Sequence, residues 1–129
     1  MADISTIVAS NAAVEIKHPA TGMPIGLTIH LLPDTSEELR ALQRKWQNEA
    51  LKTRGRNLDA DKLEARTLER LVAATASWQF GADENGEPCT FGGETPECTA
   101  FNARKLYKDL PWLRNQVADA LSDEAEFFR

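Results

Sequence analysis

The chain lacks the features of three broad classes of protein. No apolar run in its 129 residues approaches the roughly 20 residues that a membrane-spanning helix needs. The first residues do not combine a basic segment with an apolar one, so we expect no secretory signal and a cytoplasmic protein. The net charge is −5 and the pI is near 5.0, whereas nucleic-acid-binding domains usually carry a basic surplus. We therefore predict neither a membrane nor a nucleic acid as a partner.

The sequence also lacks the usual arrangements of residues that bind phosphate or zinc. No glycine is followed by the Lys-Ser/Thr pair of a phosphate loop, and no His-Glu-x-x-His segment occurs. Cys89 and Cys98 are nine positions apart, and His18 and His30 lie on either side of a strand turn. Neither pair has the close spacing of zinc ligands. We predict two free thiols, with a disulfide between them as the alternative, and no metal site.

A calcium loop and an enzyme active site are not indicated either. Asp83, Asn85 and Glu94 have suitable side chains for calcium, but Pro88 would then occupy the sixth position, where the loop requires glycine for its sharp turn. No pair of carboxylates is marked out as catalytic by its surroundings in the sequence. We predict a non-enzymatic protein that uses no cofactor.

Charge is distributed unevenly along the chain. Residues 81–98 hold five acidic side chains and no basic one, so this segment accounts for the whole net charge of −5. The acidic residues are Asp83, Glu84, Glu87, Glu94 and Glu97. Several glycines and the Asn85-Gly86 turn dipeptide predict a long exposed loop. A docking site for a basic partner is the alternative interpretation.

Two alternating segments predict a small antiparallel β element within residues 1–33. Val14 and Ile16 alternate with polar residues, and residues 18–24 are rich in turn formers. In the second segment one face is apolar and consists of Ile25, Leu27, Ile29 and Leu31. Residues 4–8 could add a further strand. Because an isolated hairpin is marginal in water, this one must pack against a strand, a helix or another molecule.

Residues 34–129 are predicted to be mainly helical, with about four helices. Asp34 and Glu37 open the first in the manner of a capping box, and Gly55 ends it. Its apolar stripe consists of Leu39, Leu42 and Trp46. Together with the β element this gives a single α+β domain over residues 1–129.

A second helix is predicted over residues 59–80, and Gly81 closes it. Its apolar positions are Leu63, Leu68, Leu71, Val72, Thr75 and Trp78. The part from Leu71 onward is nearly free of charge, so we expect it to be the more deeply buried end. We interpret Trp46 and Trp78 as core residues, because an indole ring buries a large apolar area.

The stretch from Phe101 to Phe128 predicts two helices that meet at Pro111. Thr99 is the expected N-cap of the first, whose apolar anchors are Phe101, Leu106 and Leu110. Proline disfavours the helical conformation of the preceding residue and is well tolerated in the first turn of a helix. Pro111 therefore marks the end of one helix and the start of the next.

The second of these helices has an apolar stripe that something must cover. The rest of the chain can cover it, or a partner protein can. The candidate partner-binding residues are Trp112, Leu113, Val117, Leu121, Phe127 and Phe128. Tryptophan is enriched in binding hot spots, and the two phenylalanines have little chain after them to cover their rings.

Short motifs along the chain carry a family resemblance. They are the segment 18–22 (HPATG) between two strands, 34–38 (DTSEE) at the start of a helix, Trp78, a glycine-containing acidic turn, Phe91, 101–107 (FNARKLY), 110–117 (LPWLRNQV) and Phe127-Phe128. With these motifs the chain resembles the tail assembly chaperones of long-tailed bacteriophages and related prophages.

This resemblance implies a small non-enzymatic assembly factor. Such proteins bind the tape-measure protein, the long helical protein that sets tail length, and keep it soluble. They also help tail-tube subunits to polymerise around it, and they are absent from the finished virion. The implied partners are the tape-measure protein and, secondarily, the tail-tube protein. The alternative is a structural component that stays in the particle, such as a tail-tube or tail-completion protein.

Overall fold

The computed structural model of the protein describes residues 3–53 and 60–128. Its elements, in chain order, are a 3₁₀ turn (Ile4–Thr6), β1 (Ala12–Lys17), β2 (Pro24–Leu31), α1 (Glu37–Thr53), α2 (Ala60–Ala74), β3 (Thr75–Phe80), α3 (Ala100–Asp109), α4 (Pro111–Ser122) and a final 3₁₀ turn (Glu124–Phe127). The predicted α+β class is confirmed. The helix end predicted at Gly55 and the helix start predicted near Asp59 lie outside the described residues.

The three strands form an antiparallel sheet with β2 in the centre. The register places Val14 of β1 opposite Ile29 of β2, and Ile29 opposite Trp78 of β3. Residues that face each other in this way point to the same side of the sheet, so these three share its apolar face. The opposite face carries Glu15, Thr28, His30, Ser77 and Gln79, which are half-buried or exposed. The sheet therefore has one face for the core and one for solvent.

The prediction of one long helix over residues 59–80 was wrong at its C-terminal end. Helix α2 stops at Ala74, and residues 75–80 form strand β3. Pairing with β2 overrides the local helical pattern of these residues, because it supplies hydrogen-bond partners for both strands. The third strand also completes the sheet, which the marginal hairpin needs. Trp78 is buried, as predicted, but it reaches the core from a strand.

One hydrophobic core lies between the apolar face of the sheet and the helices. Its most deeply buried large side chains are Ile16, Leu27, Ile29, Leu31, Leu71, Leu106, Tyr107, Leu113 and Val117. The predicted burial of Leu71 is thus observed, whereas Leu63 near the start of α2 is largely exposed. Within the described residues no helix combines the length and the apolar character needed to cross a bilayer.

Helices α3 and α4 meet at Pro111, as the sequence predicts. Thr99 Oγ1 accepts a hydrogen bond from the Asn102 amide at 3.1 Å, which confirms Thr99 as the N-cap of α3. Pro111 occupies the first turn of α4. One part of the prediction was wrong: Phe101 is not an anchor, because 78% of its surface is exposed. The buried face of α3 is formed instead by Ala103, Leu106 and Tyr107.

The acidic segment 81–98 is largely exposed, as expected, but it is folded into turns. The Asp83 carboxylate accepts hydrogen bonds from the amides of Asn85 and Glu87, both at 2.9 Å. Further along, the indole Nε1 of Trp78 donates to the Pro96 carbonyl at 2.9 Å and ties the segment to β3. Cys89 and Cys98 are free thiols, in agreement with the prediction.

Candidate functional site

Most of the residues predicted to contact a partner lie inside the domain. Leu113, Val117 and Leu121 of α4 are buried, and so is Phe127 in the final turn. Helix α4 packs against β1, α2 and α3, which cover its apolar stripe. The stripe is therefore intramolecular core in this fold. Of the six predicted contact residues, only Trp112, which is half-buried, and Phe128, which is 44% exposed, keep substantial accessible surface.

A groove opens where both ends of the chain meet the β2–α1 connection. We call it the terminal groove, and its volume is about 520 Å³. It is lined by Ala9, Pro33, Asp34, Thr35, Arg70, Leu121, Ser122, Phe127 and Phe128. Apolar side chains from three separate parts of the chain thus converge on one concave surface, as is usual in ligand and peptide sites.

The C-terminal wall of the terminal groove is held in place by one backbone hydrogen bond and one side-chain cap. The Ser10 amide donates to the Phe127 carbonyl at 2.7 Å, which joins the approach to β1 to the final turn. The Asp123 carboxylate accepts from the Ala125 amide at 3.2 Å and caps that turn. With Phe127 fixed in the core, the exposed ring of Phe128 is held at the edge of the groove.

A second concavity continues from the terminal groove along α1. This α1 cleft has a volume of about 360 Å³, and it is lined by Asp34, Leu39, Leu42, Gln43, Trp46 and Arg70. Leu39 and Leu42 are buried, and Trp46 is half-buried. The Arg66 guanidinium lies 5.3 Å from the centre of the Trp46 ring and pairs with Glu49 at 3.2 Å. This contact orients the indole at the end of the cleft.

The ion pair between Asp34 and Arg70 separates the two concavities. The carboxylate and guanidinium are 3.0 Å apart, and both residues line both concavities. The prediction of Asp34 as a helix cap was wrong, because α1 starts three residues later, at Glu37. Because both side chains are well exposed, the pair adds little to stability. It instead provides one donor and one acceptor in the middle of an otherwise mainly apolar surface.

The N-terminal segment adds apolar surface next to Ala9 at the terminal groove. Ile4, Ile7 and Val8 are exposed by 84%, 56% and 70% of their surfaces. The suggestion that residues 4–8 form a strand was wrong, since Ile4–Thr6 is a 3₁₀ turn. Contiguous exposed apolar side chains of this kind are typical of protein-interaction surfaces.

Among the described residues, burial shifts the pKa values of two thiols and a tyrosine. Burial raises the pKa of the Cys89 and Cys98 thiols, and it also raises the pKa of Tyr107. A thiol with a raised pKa is a poor nucleophile, because the thiolate is the reactive form. Among residues 3–53 and 60–128 there is no group of three or more His, Cys, Asp or Glu side chains that could hold a metal ion.

Comparisons with protein-family models, with curated proteins and with solved structures found no match to this chain. The candidate site therefore rests on its geometry. Sequence reasoning identified Phe127 and Phe128 as candidate contact residues, but it placed Asp34 at a helix N-cap and did not bring any of these residues together with Arg70 and Trp46. The only sequence signal for Trp46 was its position on the α1 stripe, which is equally typical of a core residue.

Proposed function

We propose that the protein is a tail assembly chaperone that binds helical segments of a tape-measure protein and acts without catalysis. The observation that supports this most directly is the pair of adjoining concavities, the terminal groove and the α1 cleft, on the surface of a small domain. The family resemblance of the sequence supplies the identity of the partner. The tail-tube protein is a second partner under the same proposal.

The two concavities adjoin, so together they can accept the apolar face of one α-helix. Recognition of a helix in a groove uses anchors spaced three or four residues apart. Such neighbours lie about 5–6 Å apart on the helix surface. The terminal groove and the α1 cleft share Asp34 and Arg70, so successive anchors of one helix can enter both.

The polar groups of the site would fix the register of the bound helix. A helix that lies across both concavities passes over the Asp34–Arg70 pair. A polar or charged side chain at that point gains a hydrogen bond, whereas an apolar one leaves two charged groups without water. We therefore expect bound segments to carry a polar residue between two apolar anchors.

The experiment is co-expression of this chain with the tape-measure protein encoded near it, scored for solubility of the tape measure and for co-purification. The wild-type chain should do both. Phe128→Asp and Trp46→Asp should reduce both, because each places a carboxylate on the wall of a concavity. Met23→Asp is the matched control, since Met23 is a half-exposed apolar residue that does not line either concavity.

Two results would count against the proposal. If the tape measure aggregates whether or not this chain is present, the chaperone function is wrong. If the protein is found in finished particles, the alternative of a retained tail-tube or tail-completion protein replaces it. Equal loss of function in Met23→Asp and Phe128→Asp would leave the chaperone function standing but exclude the terminal groove as the binding site.

A further inference from the structure

Helix α3 presents an outer face that no other part of the described chain covers. Phe101, Arg104, Lys105 and Lys108 recur at intervals of three and four residues, so they lie on one side of the helix, opposite its buried side. All four are exposed. None of the three cations takes part in an ion pair within residues 3–53 and 60–128. The outer face thus combines an exposed aromatic ring with three positive charges that no acidic group of the described residues pairs with.

A pocket lies beside this outer face, at the junction with the acidic segment. Its volume is about 370 Å³, and it is lined by Phe91, Gly92, Glu94, Pro96, Asn102 and Lys105. Two hydrogen bonds hold the acidic segment here: the side-chain Nδ2 of Asn102 donates to the Glu97 carbonyl at 2.9 Å, and Trp78 Nε1 donates to the Pro96 carbonyl. The pocket has apolar walls from Phe91 and Pro96 and a carboxylate from Glu94 on its rim.

We propose that two copies of this chain associate about a two-fold axis through the outer face of α3 and this adjoining pocket. Phe101 of each copy enters the pocket of the other. Arg104 and Lys108 of each copy then face the acidic segment of the other, which carries Glu94 and Glu97. Every contact occurs twice, as the symmetry requires.

The arrangement of charge and shape favours a second copy as the occupant. The acidic segment carries −5 and the outer face of α3 carries three positive charges, so one chain contains both halves of a complementary pair. Lys105 lines the pocket and lies one helical turn from Phe101 on the same face of α3, so the aromatic ring and the pocket lie on adjoining surface. The pocket is large enough for the ring, since a cavity of about 150 Å³ binds benzene.

A nucleic acid fits the same surface less well. An exposed aromatic residue among cations is a common feature of such sites. However, the five carboxylates of residues 81–98 directly precede α3 and would repel phosphate groups. A second copy meets both the positive and the negative part of the surface with a charge of opposite sign.

The test is sedimentation equilibrium of the isolated full chain at low and at high salt. We expect a dimer that dissociates as salt rises, because exposed charge pairs are screened. Two variants reverse the charges: Arg104→Glu with Lys108→Glu on the helix, and Glu94→Lys with Glu97→Lys on the acidic segment. Each should weaken self-association by about tenfold or more, since like charges then face each other. All four positions are exposed, and circular dichroism verifies that the variants fold.

Mixing the two charge-reversed variants gives the decisive measurement. In the mixed dimer both halves of the interface pair opposite charges. One half has the original helix facing the original acidic segment, and the other has the reversed helix facing the reversed segment. A heterodimer should therefore form although neither variant dimerises alone. Phe101→Ala should weaken self-association, while circular dichroism of the dilute, monomeric chain should show an unchanged fold. The matched control is Arg40→Glu with Lys52→Glu, which reverses two exposed cations on α1 and should leave the dimer intact.

Three outcomes would overturn the inference. The first is a wild-type chain that stays monomeric up to roughly 100 µM at low salt, because this excludes a micromolar dimer. The second is a dimer that the reversed charges do not affect. The third is a mixture of the two variants that does not associate. The measurement uses this chain alone, so its outcome is independent of binding to a tape-measure protein.

Discussion

The hydroxyl of Tyr107 is hydrogen-bonded to Oγ1 of Thr75, and the Thr75 hydroxyl donates in turn to the Leu71 carbonyl at 2.7 Å. Because the single proton of Thr75 is used in that second bond, Tyr107 is the donor in the first. Tyr107 is fully buried on α3, and Thr75 is the first residue of β3. The two bonds thus join α3 to the point where α2 ends and the third strand begins.

This relationship predicts a loss of stability at alkaline pH. Burial raises the pKa of Tyr107 in the folded state, whereas in the unfolded chain it titrates near its ordinary value of 10.0. Above that pH the unfolded chain releases a proton that the folded chain retains, so the free energy of unfolding falls as pH rises. Tyr107→Phe should be less stable by about 1 kcal/mol at neutral pH and should show a smaller fall above pH 10.0.

Urea unfolding of the wild type and of Tyr107→Phe, at a series of pH values from neutral to above 10.0, measures this difference. Cys89 and Cys98, whose pKa values are also raised, contribute a further fall that begins above 9.0 and is common to the two proteins. Taking the difference between wild type and Tyr107→Phe removes it. Identical pH dependence of the two proteins would mean that Tyr107 is not buried as described.

The free edge of β1 is partly closed by a side chain. Gln116 of α4 donates from Nε2 to the Lys17 carbonyl at 2.7 Å and accepts from the Lys17 amide at 2.9 Å through Oε1. One amide side chain thus makes both hydrogen bonds that a neighbouring strand residue would make. We expect Gln116→Ala to lower the free energy of unfolding by about 1–2 kcal/mol and to speed hydrogen exchange at the Lys17 amide.

Gln116→Glu provides the comparison for this prediction. A carboxylate can still accept from the Lys17 amide, but it cannot donate to the Lys17 carbonyl. Protection of the Lys17 amide should therefore persist in Gln116→Glu and disappear in Gln116→Ala. If both variants lose that protection to the same extent, the side chain does not act as a strand partner.

Gly26 brings β2 into direct contact with the residues that follow β3. Its φ is +98°, and a Cβ built there would lie 2.7 Å from the Ala82 carbonyl carbon. The Gly81 amide donates to the Gly26 carbonyl at 2.7 Å, so the backbones cannot separate without losing a bond. We expect Gly26→Ala to destabilise the fold by about 2–4 kcal/mol through backbone strain and a steric clash.

Gly22→Ala separates these two causes. Gly22 also has a positive φ, +71°, but nothing lies within 4 Å of a Cβ built there. Its substitution should cost only the conformational term, about 1–2 kcal/mol. Thermal unfolding of the two variants tests the close contact, which predicts that Gly26→Ala melts well below Gly22→Ala.

The sequence was sufficient where the determinants of structure are local. The alternation in β2, the Thr99 N-cap and the helix start at Pro111 each depend on residues within a few positions of one another, and each is observed. Strand β3 was missed because its conformation depends on β2, which lies more than 40 positions away in the chain. Short segments that follow a helix are hard to assign without such a pairing partner.

The residues of the candidate site also divide into those that local sequence identifies and those that depend on contacts distant in the chain. Phe128 was identified because it follows Phe127 directly in an aromatic pair, which is a local property of the sequence. Arg70 was not, because its contact with Asp34 links α2 to the β2–α1 connection, 36 positions away. The sequence correctly showed α4 to be amphipathic, but an apolar stripe has the same pattern whether a partner or the rest of the chain covers it.

Trp78 links the core to the acidic segment. We expect that breaking this link loosens the segment and weakens self-association. Its ring is buried on β3, while Nε1 donates to the Pro96 carbonyl at 2.9 Å. Trp78→Phe keeps an aromatic ring in the core but removes the donor, so we expect faster cleavage by a glutamate-specific protease at Glu94 and Glu97. Because the pocket beside α3 includes Pro96, the proposed dimer should weaken as well. Trp46→Phe, which leaves the acidic segment untouched, is the control, and equal cleavage of the two variants would show that the Trp78 hydrogen bond does not hold this segment.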